Sequence, residues 1–407
     1  MTGTFLLAFA MFSAGAARVD ITPAADGALA MSGYPGREEG HKGIHDNLYV
    51  RALVVDQGGT QAAIVSADVI GFRNTLWEKI AGRVASETGI ARERFLLAAV
   101  HTHGAPSTGV YEGPPSAKQA VYIASLEEAV MEAVRKARAA LQPARVGFGT
   151  GRANVNVNRR AREARGGWWL GVNPDGPSDK TVAVVKFESL SGKPIAIFSN
   201  YAVHGTVMGM QNSRITGDLP GAAARFVEKE LGGDVVALWT SGAAGDQNGI
   251  YGPGNDWGQL EVLGQILGEE TVRVARGIKP SPREPAISGA QKVVTCPGQR
   301  MAPGTSRRDR EIRFVDADPV DIRLSLIRVG DIAFAGVSGE VLTGIGSRLK
   351  KQSRLPATMM ITHANGSSGY LPDDAAYDQV SYEIQTAHVK RGCAETAIVN
   401  GLTEMMK

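Results

Sequence analysis

Residues 96–106 read LLAAVHTHGAP, an apolar run that ends in His101, Thr102 and His103. The run 95–100 has the length and flanking signals of a buried strand, and Gly104 and Pro106 stop it at once. Side chains alternate faces along a strand, so both imidazoles are expected on one side. They are also expected at the strand's carboxyl end, where open α/β sheets carry their sites. A His-x-His pair has two readings by itself: a pair of metal ligands, or one ring hydrogen-bonded in the core and one exposed.

Outward from this stretch the chain alternates strand-like and helix-like segments, which predicts an α/β fold. Strands are expected at 52–56 and 62–68, around a turn at 57–60. Asn74 or Thr75 is placed to cap a helix with Leu76, Ile80 and Val84 on one face. Residues 118–141 show the clearest helical spacing, with Ile123, Leu126, Val130 and Val134 in register and Pro143 just beyond. Strands follow at 181–187 and 194–203, the second ending in His204 before the loop GTVMGMQN. A helix is expected from Leu219 to Leu231, then a strand at 235–240 that opens into SGAAGDQNG, then a helix at 256–276. Strands at 322–329 and 332–337 lead to SGE, with Glu340 at the start of a helix carrying Val341, Leu342, Ile345 and Leu349. The last strand, 359–363, runs into ANGSSGYLP.

Two segments resist this pattern. Residues 145–179 read as irregular, and there Trp168 and Trp169 either line a cleft or divide between core and surface. Residues 277–319, rich in Pro, Gly and Arg, read as an insertion or a mobile loop within one domain spanning 1–407.

Composition narrows the function classes. The chain has 407 residues, 43% hydrophobic and 21% charged, as expected of a soluble globular protein. Its net charge of +3 is too small and too scattered for a nucleic-acid footprint, and the basic clusters at 159–165 and 307–313 read as solvated loops. No apolar run reaches the length of a membrane span. The apolar stretch 5–12 has no basic residue before it, so it is a poorly formed leader. Residues 9–19 are read instead as the first strand, and a cytoplasmic location is favoured over a secreted one. Cys296 and Cys393 show no metal-finger spacing, so a metal would need His and oxygen ligands; whether the two pair is open.

Strand ends therefore deliver His101 with His103, His204, Glu340 and the loop of Tyr370, a set able to hold zinc and leave room for water. Further stretches extend this. VDITP (19–23), GIHDNLYVRALVV (43–55), VSAD (65–68), HTHGAP (101–106), NYAVHGT (200–206), TGDLPGAAAR (216–225) and GAAGDQN (242–248) resemble the catalytic domain of neutral/alkaline non-lysosomal ceramidases. So do SGEVLTGIGSRL (338–349) and NGSSGYLPDDAAYDQVSYE (365–383).

The resemblance implies a zinc-dependent amidase on a sandwich of mixed β-sheets flanked by helices, with one zinc per chain at strand carboxyl ends. It makes His101, His204, Glu340 and Tyr370 the zinc ligands, and His103 a second histidine of the pocket. Tyr382 matches a tyrosine that polarises the scissile carbonyl, and Arg159 an arginine near the site. In the implied reaction a zinc-activated water attacks an amide carbon, and His103 or Asp246 protonates the leaving amine. This sequence departs from the family in two places. Asn248 stands where the family has a serine, and only 25 residues follow Tyr382, where ceramidases continue into a β-sandwich domain. The expected substrate is therefore a small or medium N-acyl compound rather than membrane ceramide. Hydrolysis of an ester, lactone or sugar derivative is the enzymatic alternative. A zinc-stabilised binding protein is the alternative of another class.

Overall fold

The computed structural model describes residues 11–27, 29–110, 114–164, 166–232, 234–307 and 312–407. Most of the leader-like stretch 5–12 lies outside the described residues.

The chain opens with strands β1 (Ser13–Asp20), β2 (Tyr49–Gln57) and β3 (Thr60–Ala67), helix α1 (Asn74–Thr88), strand β4 (Phe95–Ala99) and helix α2 (Ala117–Ala139). Strands β5 (Gln142–Arg152), β6 (Asn156–Arg162), β7 (Trp168–Asn173), β8 (Thr181–Ser189) and β9 (Pro194–Tyr201) follow. Next come α3 (Asp218–Leu231), β10 (Val236–Ser241), β11 (Gln247–Gly249) and α4 (Trp257–Gly277). The last part holds β12 (Ile287–Met301), β13 (Phe314–Val329), β14 (Ile332–Val337), β15 (Glu340–Val341), α5 (Thr343–Gln352), β16 (Ala357–Ile361), β17 (Tyr370–Leu371), α6 (Tyr382–Thr386) and α7 (Ala394–Met405).

An eight-stranded mixed sheet has the order β10-β9-β8-β5-β1-β2-β3-β4, and a four-stranded mixed sheet the order β12-β13-β14-β16. The period-two pattern of the strands decides what each face covers. Leu53, Val55, Ile64, Leu96, Val185, Phe187, Phe198 and Leu238 share one buried cluster with Phe334, Met359 and Ile361 of the smaller sheet. The alternate residues Val54, Val65 and Leu97 face α1 and α2 through Ile80, Val84, Leu126, Val130 and Val134. Val184, Ile197 and Trp239 meet Leu219 of α3 and Leu263 and Leu267 of α4. Ala333 and Ala335 meet Ile345 of α5 and Ile398 and Leu402 of α7. The result is the expected α/β sandwich of mixed sheets flanked by helices.

Local chemistry sets the helix ends. The Ser116 side chain accepts from the Gln119 amide while the Gln119 side chain accepts from the Ser116 amide, a reciprocal cap that starts α2. Asp256 caps α4 through the amides of Gly258 and Gln259. The expected cap of α1 is corrected: Arg73 holds that position, and its side chain does not cap the helix. Asn74 Oδ1 instead accepts from the Ser367 amide at 2.8 Å, which ties the helix start to the 365–369 loop.

Other expectations are corrected too. Residues 145–179 are mostly strand, with β6 pairing β7 and β11 in a separate three-stranded sheet. Much of 277–319 is a long hairpin of β12 and β13, paired from Ile287↔Val329 to Met301↔Phe314. Its strands are largely solvent-facing, and a register shift between Cys296 and Gly298 breaks the alternation, so the apolar signal of a strand is diluted. Glu340 lies in strand β15, three residues before α5 rather than at its start. Cys296 and Cys393 form a disulfide that fastens the hairpin to the start of α7. No helix among the described residues is long and apolar enough to cross a membrane.

Candidate metal centre

Four strands end at one place. His101 follows β4, His204 follows β9, Glu340 follows β14 and His363 follows β16, each within three residues of the strand end. Backbone bonds lace these ends together. Thr102 bridges Gly205, and the His103 amide donates to Gly205 O at 3.1 Å. The His363 amide donates to Gly339 O at 3.2 Å, and the Ala99 amide donates to His363 O at 3.2 Å.

His101 and His103 do come together, but not through strand alternation. β4 stops at Ala99, and His101 has φ +63°, so the chain turns before the pair. His363 (φ +54°) and Asn365 (φ +61°) are also left-handed. Such backbone costs roughly 1–3 kcal/mol per residue and persists where surroundings over-determine it. Asn365 supplies part of that hold, accepting from the Leu97 amide at 2.8 Å and donating to Ser325 Oγ at 2.8 Å.

The imidazoles are oriented by main-chain carbonyls. His101 Nδ1 bonds Ile70 O at 2.7 Å, and His204 Nδ1 bonds Ala244 O at 2.7 Å. A carbonyl only accepts, so Nδ1 carries the proton in both rings and each Nε2 turns a lone pair inward. Glu340 Oε2 lies 3.2 Å from His204 Nε2 and 3.6 Å from His101 Nε2. Donor atoms about 2.0–2.1 Å from a tetrahedral zinc are roughly 3.3 Å apart, so this set fits the ion. The pairing of β15 with β17 sets Tyr370 directly beside Glu340. His103 Nε2 is 3.3 Å from His101 Nε2, and its buried Nδ1 has no hydrogen-bond partner among the described residues. A Cβ on Gly33 would sit 2.2 Å from that Nδ1, so only glycine admits the ring there.

Residues 12–249 match the N-terminal part of the neutral/alkaline non-lysosomal ceramidase family, more than half of the chain. The chain belongs to that family. It is 28% identical over 271 residues to the neutral ceramidase of Drosophila pseudoobscura pseudoobscura, covering 62% of this chain and 38% of the relative. It is 27% identical over 226 residues to the neutral ceramidase of Pseudomonas aeruginosa, covering 53% of this chain and 33% of the relative. The chain thus spans about two fifths or less of the length of these curated relatives. The solved neutral ceramidase of Pseudomonas aeruginosa superposes with a TM-score of 0.79 at 18% identity, over 98% of this chain and 74% of that one. A ceramidase structure complexed with C2 gives the same score and identity. The ceramidase fold therefore runs past residue 249 to include Glu340 and Tyr370.

Around this cluster lies a charged and aromatic wall. The buried Arg159 guanidinium donates to the Tyr370 hydroxyl at 2.8 Å, to Glu383 Oε1 at 2.7 Å and to Asn248 Oδ1 at 3.3 Å. Tyr382 packs edge-on against Tyr370 at 5.8 Å and against Trp169 at 5.9 Å, with the Arg307 guanidinium 5.5 Å from its ring. Of the two tryptophans, Trp169 thus joins this wall. Asp246 is engaged elsewhere: its carboxylate accepts from the Thr343 amide and hydroxyl, from Gln247 and from Asn158.

Burial governs the protonation states. It pushes His101 down to about 4, with His204 and Arg159 adding to the effect and Glu340 opposing it. Burial likewise lowers His103, His204 and His363, so the imidazoles are neutral near pH 7. Burial opposes ionisation of Glu340, but His101, His204 and His363 hold its carboxyl well below the usual range. One carboxylate among neutral imidazoles is the state that binds a divalent cation. Burial raises Tyr370 and Tyr382, which keeps both phenols protonated without a cation.

Sequence reasoning passed over His363. The signal was present, since it too is a histidine closing an apolar strand, 359–363. Glu383 enters the sequence reading only as the last residue of the 365–383 stretch, yet it is the buried carboxylate that holds Arg159.

Proposed function

We propose that this protein is a zinc-dependent hydrolase that cleaves an N-acyl amide bond. The observation that carries this reading is the spacing of His101 Nε2, His204 Nε2 and Glu340 Oε2, with the Arg159–Tyr370 pair beside them. His101, His204, Glu340 and Tyr370 would hold the ion. A bound zinc would supply a water that is nucleophilic at neutral pH and a positive charge facing the developing oxyanion.

The remaining steps fall to this chain's own groups. Arg159 holds the Tyr370 hydroxyl in place, and its charge eases loss of the phenolic proton. Tyr382 donates its hydroxyl to the substrate carbonyl oxygen, where charge grows in the transition state. His103, neutral at rest, takes at Nε2 the proton that the attacking water gives up as its oxygen bonds to the carbonyl carbon, and passes it to the amine as the carbon–nitrogen bond breaks. Asp246, its carboxylate occupied by Thr343, Gln247 and Asn158, positions the start of α5 rather than moving a proton. Residues from 101 to 383 meet at this one centre, which supports reading the chain as a single catalytic domain.

The substrate is read as an N-acyl compound smaller than membrane ceramide, since Asn248, bonded to Arg159, stands in place of the family serine. The Cys296–Cys393 disulfide supports an oxidising compartment, in place of the cytoplasmic location expected from the leader-like stretch. The test is a panel of N-acyl amides of increasing chain length, matched esters, and ceramide in detergent. Turnover of the shorter amides supports the reading. Turnover of esters alone would replace the leaving group, and preference for ceramide would overturn the size assignment. Zinc binding with no turnover of any substrate would point to a binding protein.

A further inference from the structure

His363 is a metal-binding side chain that the family-derived ligand set does not use. It is buried, and its ring stacks on His101 with centroids 3.8 Å apart and planes 13° from parallel. One donor atom from each of His101, Glu340 and His363 lies within 4.8 Å of the others. Its backbone is left-handed and pinned to both neighbouring strand ends, by its amide to Gly339 O and its carbonyl to the Ala99 amide. The same elements that aim His101 and Glu340 therefore aim His363.

We infer that this centre takes two divalent cations, the second held by His363 with Glu340 as the shared carboxylate. The inference rests on the metal-site reading given above. Imidazole nitrogens bind a metal in the ring plane, along the lone pair. Two rings stacked nearly parallel have lone pairs in separate planes, so His101 and His363 do not converge on one ion. An ion in each plane would be kept from the other by at least the gap between rings whose centroids are 3.8 Å apart, and two-metal hydrolytic sites, at roughly 3.5–4 Å, accommodate such a gap. Glu340 fits the bridging role because one carboxylate oxygen faces His101 and His204, and a carboxylate has a second oxygen to offer. The second ion has two protein donors against four for the first, so it binds more weakly and exchanges first.

The experiment is equilibrium dialysis of metal-stripped wild type against Zn2+ and, separately, Co2+, with bound metal per chain read by elemental mass spectrometry. Two equivalents are expected, the weaker one removed first by a chelator, falling to one tight equivalent in His363→Leu. A single equivalent in wild type at saturating metal overturns the second site and leaves the first intact. No bound metal overturns both. The wild-type titration decides the matter even where His363→Leu fails to fold.

Discussion

Around Arg51 every buried charge is answered by a protein partner, whereas around His101 the donor atoms are left facing one another. Arg51 donates to Asp68 at 2.9 Å and to Glu228 at 3.1 Å. Asp68 also accepts from the Tyr49 amide at 2.8 Å, and Glu228 from the Ala237 amide and Arg18. That network is closed, and its role is to hold β2, β10 and α3 together. At the histidine cluster, imidazole nitrogens and a carboxylate stand 3.2–3.6 Å apart. Arg159 donates to the Tyr370 hydroxyl beside them. A buried cluster of acceptors is costly unless something positive joins it, and this difference supports the proposal of a site rather than a support.

The contrast breaks most sharply at Arg51. Arg51→Ala leaves Asp68 and Glu228 buried and unpaired, and it is expected to cost about 3–5 kcal/mol, read from urea midpoints. Metal content per folded chain should not change. Tyr382→Phe should do the opposite, lowering kcat by roughly 10²–10³ while the unfolding midpoint and metal content hold. A shift in stability with no loss of kcat would remove Tyr382 from the reaction.

A third difference concerns acid. In chelator-treated protein the folded pKa of His101, about 4, lies below the ordinary 6.5, so the unfolded chain takes up the proton first. Stability from this group is full above pH 6.5 and is lost as pH falls towards 4, a change on the order of 3 kcal/mol. Urea midpoints of the metal-free protein should fall across that window, and His101→Gln should flatten the fall. The smallest effect is expected at Arg18, which is 38% exposed. Arg18→Ala should cost no more than about 1 kcal/mol, because solvent screens the outer member of the Arg51 network.

The two clusters also differ in what the sequence disclosed. The histidines and Glu340 were legible because each closes an apolar strand beside small residues, a local pattern. The Arg51 network was not, since its members at positions 51, 68 and 228 meet only through the sheet and have no signature spacing. Strands β2, β3, β4, β8, β9, β10 and β14 were readable because burial on both faces makes them continuously apolar. β6 carries Asn156, Asn158, Arg159 and Arg160 at buried positions, β12 carries Lys292 and Arg300 at exposed ones, and the 314–321 half of β13 carries Asp316, Asp318 and Asp321, so their strand character comes from pairing rather than composition. His363 fell between these cases: its strand was recognised, but its ring is made a donor by the left-handed turn that stacks it on His101.

The most direct measurement is the metal content of purified, untagged protein by elemental mass spectrometry, with His204→Ala beside it. At least one zinc per chain in the wild type, with affinity falling more than about a hundredfold in the mutant, is the predicted result. A wild type that takes up no metal from added zinc, or a His204→Ala protein that keeps full occupancy, would contradict the assignment of this cluster as a metal centre.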